Sequence, residues 1–296
     1  MWSKASPVPR NEFLKGVTGV NGIFCALTDK IDKELLDAAG ESLKVVATIS
    51  VGYDHIDVAE CKKRNIRIGY TPDVLTNATA ELTMALLLST SRRLPEAQHE
   101  AKTGGWVAWA PTWMTGPGLA GATVGIVGFG RIGQAVARRV KSFNTAHILY
   151  YNRSERPEAI ETGAIKTSFE ELLSRSDFVI CCAALVPDTK EIFNKAAFEK
   201  MKKTAVFVNT SRGGTVDQNA LIEALQTNTI RAAGLDVTTP EPLPLDSPLF
   251  KLKNCVVLPH IGSASIEARN TMSELTANNI LAALKGTINM PAELIA

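Results

Sequence analysis

A short apolar run at 123–127 leads without a break into Gly128-Phe129-Gly130-Arg131-Ile132-Gly133. The residues after it carry Ile132, Val136, Ala137, Val140 and Phe143 at helical spacing. The G-x-G-x-x-G string is weak on its own, but strand, glycine turn and helix in this order narrow sharply what the chain can become. Gly128 permits the tight turn. Gly130, with no Cβ, lets the backbone approach a pyrophosphate. Gly133 lets the helix lie close to its strand, and the helix start offers unpaired N–H groups to an anion. Gly128, Gly130, Arg131, Ile132 and Gly133 are therefore expected to hold a dinucleotide.

The ribose selector of such a unit falls about 20 residues on, at the end of the second strand. The sequence there is Tyr151-Asn152-Arg153-Ser154-Glu155-Arg156. A site built for NAD wants a carboxylate that accepts from the 2′-hydroxyl, and Asn152 stands in that slot. A carboxylate would repel a 2′-phosphate, whereas Arg153, Ser154 and Arg156 suit one. NADPH is the expected cofactor, with NADH as second choice.

From residue 120 onward, β-branched runs at 123–127, 146–151, 178–183, 205–209, 233–237 and 255–258 alternate with helical patterns at 131–143, 169–174, 196–201 and 220–225. Apolar strands separated by helices predict a parallel sheet with crossovers, an α/β fold. Strands at 22–27, 45–49 and 66–70, with helices at 31–39 and 55–64, predict a second, smaller α/β lobe. A long helix is expected over 76–93, with Leu82, Ala85, Leu86 and Ser89 on one face, and another over 264–285 that returns to the first lobe. The expected division is 1–74 with 266–296 as one domain and 75–265 as the other.

A net charge of +2 gives no electrostatic case for binding nucleic acid or a membrane surface. The longest apolar run, nine residues at 178–186, is short of the roughly 20 a span requires. No secretory signal is visible, and the five cysteines, two of them adjacent, read as reduced thiols of a cytoplasmic protein. The four histidines show no metal-ligand spacing, so no metal is expected.

Three segments follow predicted strand ends, where open α/β sheets place ligands: Asn209-Thr210-Ser211-Arg212-Gly213, Gly234-Leu235-Asp236-Val237 with Pro240-Glu241-Pro242, and Pro259-His260-Ile261-Gly262-Ser263. A guanidinium clamps a carboxylate and polarises a neighbouring carbonyl. A carboxylate beside an imidazole fixes its tautomer and favours the protonated form. Each residue alone is more ordinary, a surface ion pair or a structural His, and the joint pattern beside a dinucleotide unit carries the reading.

With these motifs the chain resembles the D-isomer-specific 2-hydroxyacid dehydrogenases over roughly residues 16–296, most closely the animal-type members that reduce glyoxylate and hydroxypyruvate. The resemblance implies two Rossmann-like lobes, with the NAD(P)-binding lobe inserted in a smaller flavodoxin-like substrate lobe. It implies that Arg212 binds the substrate carboxylate and carbonyl, that Glu241 pairs with His260, and that His260 is the general acid/base. It places Asp236 on the nicotinamide carboxamide and Thr79, Ser211 and Gly262 near the cofactor. Val51, Gly52 and Ser263 are implied at the substrate. Within Gly104-Gly105-Trp106-Val107-Ala108-Trp109-Ala110-Pro111-Thr112-Trp113, it implies a homodimer contact in which Trp109 reaches the partner's site.

Against the family pattern, the substrate lobe is expected to lack its first β-α-β, leaving the strand at 22–27 as an edge with an uncovered face. Alternative readings are a D-lactate or phosphoglycerate type of dehydrogenase, a dinucleotide-sensing corepressor-like binding protein, and an inactive truncated isoform.

Overall fold

The computed structural model describes residues 6–286 and 289–294. Contacts divide the chain into two compact units, residues 1–75 with 264–296, and residues 76–263.

The smaller unit begins with α1 (Arg10–Gly16), a helix the sequence pattern does not announce. It buries no residue fully, and it is tied to the next helix by ion pairs from Arg10 to Asp32 and Glu34. There follow β1 (Gly22–Cys25), α2 (Lys33–Ala39), β2 (Val45–Thr48), α3 (Val58–Lys63) and β3 (Arg67–Gly69). The strands form a parallel sheet in the order β1-β2-β3. Side chains alternate across it as strand geometry requires. Ile23, Val46 and Ile68 pack with Leu35 and Leu36 on one face. Val45 points to the other.

The larger unit opens with α4 (Thr76–Ser91) and α5 (Leu94–Thr103). The helical pattern stops at Ser91, and Arg93, in a left-handed conformation, starts the next helix. The buried residues of α4 include Thr79, Ala80, Thr83, Met84, Leu86, Leu87 and Thr90, while Ala85 is exposed and Leu82 and Ser89 are half-buried. The expected face is therefore wrong except at Leu86. The helix packs against both strands and another helix, and its buried residues span an arc too wide for periodicity to locate.

Next come β4 (Thr123–Val127), α6 (Arg131–Lys141), β5 (His147–Tyr151), α7 (Ala159–Thr162), β6 (Ile165–Lys166), α8 (Phe169–Arg175), β7 (Phe178–Cys181), α9 (Lys195–Lys200), β8 (Val206–Asn209), α10 (Gln218–Gln226), β9 (Ala232–Leu235) and β10 (Cys255–Val257). All seven strands are parallel, in the order β10-β9-β8-β7-β4-β5-β6. The order reverses between β4 and β7, which is the switch point where open sheets of this kind receive ligands. β4, β7, β8 and β9 are almost wholly buried and carry the core.

From residue 264 the chain returns to the smaller unit as α11 (Ile266–Leu284). Ile280 and Ala283 cover Val45, and a Cβ on Gly22 would meet Ile280 at 3.0 Å. The face of β1 expected to be uncovered is thus closed at Gly22, while Phe24 on the same strand stays 47% exposed. The last described residues pair with β3 through Gly69 and Glu293, and the Arg67 guanidinium grips the Glu293 carboxylate at 2.6–2.7 Å.

Candidate active site

The glycine turn at the end of β4 is fixed by close approach on two sides. Gly128 adopts φ +90°, and a Cβ there would lie 2.5 Å from the Ala183 nitrogen. A Cβ on Gly133 would lie 2.2 Å from the Gly128 oxygen. Gly130 differs, since a Cβ would enter open space. It caps α6 without any side-chain hydrogen bond to the helix N–H groups, so the helix start faces outward uncapped. An anion suits that position.

The turn is fastened to the end of β5. The Gly128 N–H donates to the Tyr151 carbonyl at 2.9 Å and the Phe129 N–H to Asn152 Oδ1 at 3.2 Å. The Phe129 ring stacks on Tyr150 at 4.3 Å. Asn152 Nδ2 in turn donates to the Ser154 carbonyl at 2.9 Å. Arg131, Arg153 and Ser154 are exposed, and Ile132 and Arg156 are half-buried. Arg156 Nε is buried with no hydrogen-bond partner among the described residues. An uncapped helix start, open space at Gly130 and an orphaned guanidinium N–H fit a phosphorylated dinucleotide.

Further polar side chains sit at or beyond the carboxyl ends of neighbouring strands. At the end of β8, the buried amide of Asn209 accepts from the Ser211 N–H and hydroxyl at 3.0 and 2.8 Å. It also donates to the Arg212 carbonyl at 3.0 Å, so it shapes the turn that presents Arg212. After β9, Glu241 Oε1 accepts from the Thr238 N–H at 2.9 Å, and Oε2 lies 2.8 Å from His260 Nδ1. Burial disfavours the charged Glu241, but the hydrogen bonds from His260 and Thr238 and the charges of His260 and Arg212 outweigh it. The carboxyl titrates below its ordinary value.

His260, beyond β10, has φ +55°, a left-handed backbone that costs a non-glycine residue about 1–3 kcal/mol unless its surroundings hold it. The holding group is Asp236, which is 1% exposed. Its two oxygens accept from the Ile261 and Gly262 N–H groups at 2.8 and 2.7 Å. Burial pushes the Asp236 carboxyl upward, against the pull of those N–H groups and of His260. A Cβ on Gly262 would press on Asp236 Oδ2 at 3.1 Å and on the Thr79 methyl at 3.4 Å, which brings Thr79 of α4 to the same place.

Arg212, Asp236, Glu241, His260, Gly262 and Thr79 are thus gathered at one edge of the larger unit's sheet. Ser263 is the last residue of that unit and is half-buried. Val51 and Gly52 follow β2 in the smaller unit and are also half-buried. Trp109 stands 82% exposed on a loop after α5 and takes no part in these hydrogen bonds. Asn209 and Thr238 are contributors the sequence did not reveal. An Asn closing an apolar strand run was the available signal for the first, and a backbone donor leaves none.

A parallel sheet of this order, with an uncapped glycine turn at its switch point and a carboxylate–imidazole pair beyond neighbouring strands, has the form of a dinucleotide-dependent dehydrogenase. The sequence carries the assignment further. The profile of the NAD binding domain of D-isomer specific 2-hydroxyacid dehydrogenases matches residues 84–262, and the chain belongs to that family. The glyoxylate reductase/hydroxypyruvate reductases of Mus musculus and Homo sapiens are each 55% identical to it over 99% of this chain and 89% of theirs. Among solved structures, the NADPH-dependent glyoxylate/hydroxypyruvate reductase of Sinorhizobium meliloti, in complex with NADP and malonate, superimposes with a TM-score of 0.85. It is 36% identical, covering 93% of this chain and 84% of that one.

Proposed function

We propose that this dehydrogenase reduces small 2-oxo acids, glyoxylate to glycolate and hydroxypyruvate to D-glycerate, with NADPH preferred over NADH. The observation that carries the reading is the 2.8 Å pair of Glu241 and His260 beside Arg212. The mouse and human relatives, named for both substrates, support it.

The residues divide the work as follows. The uncapped start of α6 and the space at Gly130 hold the pyrophosphate, and Asn152, Arg153, Ser154 and Arg156 form the pocket for a 2′-phosphate. Thr79, Ser211, Asp236 and Gly262 line the nicotinamide end. When bound, the reduced nicotinamide supplies a hydride to the substrate carbonyl carbon. Glu241 engages Nδ1 of His260, which leaves Nε2 as the nitrogen that gives its proton to the carbonyl oxygen. Arg212 clamps the substrate carboxylate with its planar fork, and in the smaller unit the Val51–Gly52 backbone is the proposed carboxylate receiver. A homodimer is proposed through the loop bearing the exposed Trp106, Val107, Trp109 and Trp113. Among the described residues no helix is long and apolar enough to cross a membrane. The cytoplasm is the proposed compartment, in keeping with five free cysteines.

The direct test is NADPH oxidation by the purified chain with glyoxylate, hydroxypyruvate and pyruvate. A higher kcat/KM for pyruvate would favour the D-lactate type, and cofactor binding without turnover would favour a sensor.

A further inference from the structure

Behind Val51 and Gly52 lies a row of buried hydroxyls that the catalytic reading does not use. Thr48, the last residue of β2, is fully buried, and Ser50 is 3% exposed. Ser50 Oγ donates to the Gly52 carbonyl at 2.6 Å. Thr48 Oγ1 lies 2.8 Å from Ser50 Oγ and 3.0 Å from His55 Nε2. Cys25 Sγ stands 4.0 Å from the same nitrogen.

Proton counting gives this row a direction. A hydroxyl has one proton to donate. That of Ser50 is committed to the Gly52 carbonyl, which has none to give. Ser50 therefore accepts from Thr48, whose single proton is thereby committed as well. Thr48 must accept from His55, so the proton on that imidazole sits at Nε2. The chain runs one way, from His55 through Thr48 and Ser50 to the Gly52 oxygen, and hydrogen bonds aligned head to tail polarise one another.

Its end point is the backbone that the proposed function assigns to the substrate carboxylate. The Ser50 carbonyl is itself held by the Thr71 N–H at 2.9 Å. With the Ser50 and Gly52 carbonyls both tied, the peptide planes around Val51 cannot turn freely. Among the described residues the Val51 and Gly52 N–H groups have no acceptor, so they remain available to an anion.

We propose that His55, Thr48 and Ser50 are positioning residues that lock the Val51–Gly52 backbone in the orientation that receives the 2-oxo acid's carboxylate. The proposal rests on the reductase reading given above. It predicts a defect in substrate affinity rather than in chemistry or in cofactor binding.

The test compares Ser50→Ala, Thr48→Val and Thr48→Ser in the full chain, with circular dichroism and Tm to establish folding. Ser50→Ala and Thr48→Val should each raise KM for glyoxylate about tenfold, the size expected from one lost buried hydrogen bond. kcat and the Kd for NADPH should stay near wild type, and Thr48→Ser, which keeps the hydroxyl, should restore KM. Unchanged KM in both hydroxyl-deleting variants, or kcat falling in step with NADPH affinity, overturns the proposal. A second readout is independent of turnover. Gly52-Tyr53 and Gly69-Tyr70 are the two Gly-Tyr steps of the sequence, so carbon-13 carbonyl glycine with nitrogen-15 tyrosine reports on them alone. The Gly52 carbonyl resonance should move in Ser50→Ala and Thr48→Val and stay in Thr48→Ser, with Gly69 constant. A wild-type chain that reduces no 2-oxo acid refutes the reductase reading. The carbonyl resonance then decides the positioning chain by itself, and no movement in Ser50→Ala overturns it.

Discussion

The side-chain oxygen of Asn152 accepts the backbone N–H of Phe129 at 3.2 Å, so the residue in the ribose-selector slot also buttresses the glycine turn. Its amide nitrogen holds the Ser154 carbonyl at 2.9 Å and thereby shapes the loop that carries Arg153 and Ser154. Wild type should use NADPH with the higher kcat/KM. Asn152→Asp keeps the acceptor for Phe129, loses the donor to Ser154 and introduces a charge that repels a 2′-phosphate. The NADPH-to-NADH ratio of kcat/KM should fall about tenfold or more, as expected for one misplaced charge at a phosphate. Equal use of the two cofactors by wild type, or no shift in the variant, would refute this assignment.

The glycines of the turn should separate cleanly on substitution. Gly133→Ala drives a methyl into the Gly128 carbonyl and should destabilise the protein by about 1–3 kcal/mol, as overpacking does. Gly130→Ala meets nothing, so Tm should hold while NADPH binding weakens. Tm and NADPH titration of both variants check the contrast. Equal NADPH affinity in Gly130→Ala and wild type would place the pyrophosphate elsewhere.

His260→Ala should lower kcat by roughly a hundredfold or more, the usual scale for a general acid. Glu241→Gln removes the anion that favours the protonated imidazole, and the limb of the pH–rate profile should move to lower pH. Profiles of kcat over the same pH range would test both, and a limb that stays in place would give Glu241 another role.

Arg212→Lys keeps the charge and loses the planar fork. KM for glyoxylate should rise and kcat should fall, while NADPH affinity changes little. Steady-state kinetics beside a cofactor titration would reveal a variant with unaltered glyoxylate parameters, which the proposed clamp does not allow.

Asp177 offers a check on stability. Burial opposes its charge, yet Lys202 at 2.8 Å and the Thr123 N–H at 2.9 Å hold its carboxyl below the ordinary value. A lowered folded-state pKa contributes stability above the unfolded value of about 4, and that contribution is lost as pH falls through the folded value. Asp177→Asn should cost about 1 kcal/mol at neutral pH, allowing for solvent screening of a one-third exposed carboxylate. The difference from wild type should shrink in acid. Urea unfolding at neutral and acid pH measures it, and a gap that widens on acidification would reverse the sign.

The larger sheet was legible because β4, β7 and β8 are buried on both faces and read as unbroken apolar runs. β6 was not, since its two residues, Ile165 and Lys166, are exposed and make no pattern. The face of α4 misled because the helix is buried around most of its circumference. α1 buries nothing fully and packs only Phe13 and Leu14 against the core, so no hydrophobic period marks it. At the site, the side chains proposed to act by their own chemistry could be found from spacing at strand ends. Asn209, Thr238 and Thr48 work by orienting other groups, and such roles exist only once the chain has folded around them.

The pairing of Gly69 with Glu293 and the seating of α11 against Val45 also set an order of assembly. The larger unit is continuous in sequence, and its last strand is complete at Val257. The smaller unit has its three strands by Gly69, yet the helix that closes one face and the segment that closes its edge come only after the whole of the larger unit. On the ribosome, this sheet is made well before the segment that completes it. Its apolar sheet must wait, half-dressed, through the synthesis of nearly two hundred residues before its partner emerges. That interval is when a chaperone would have the most to gain by holding this chain.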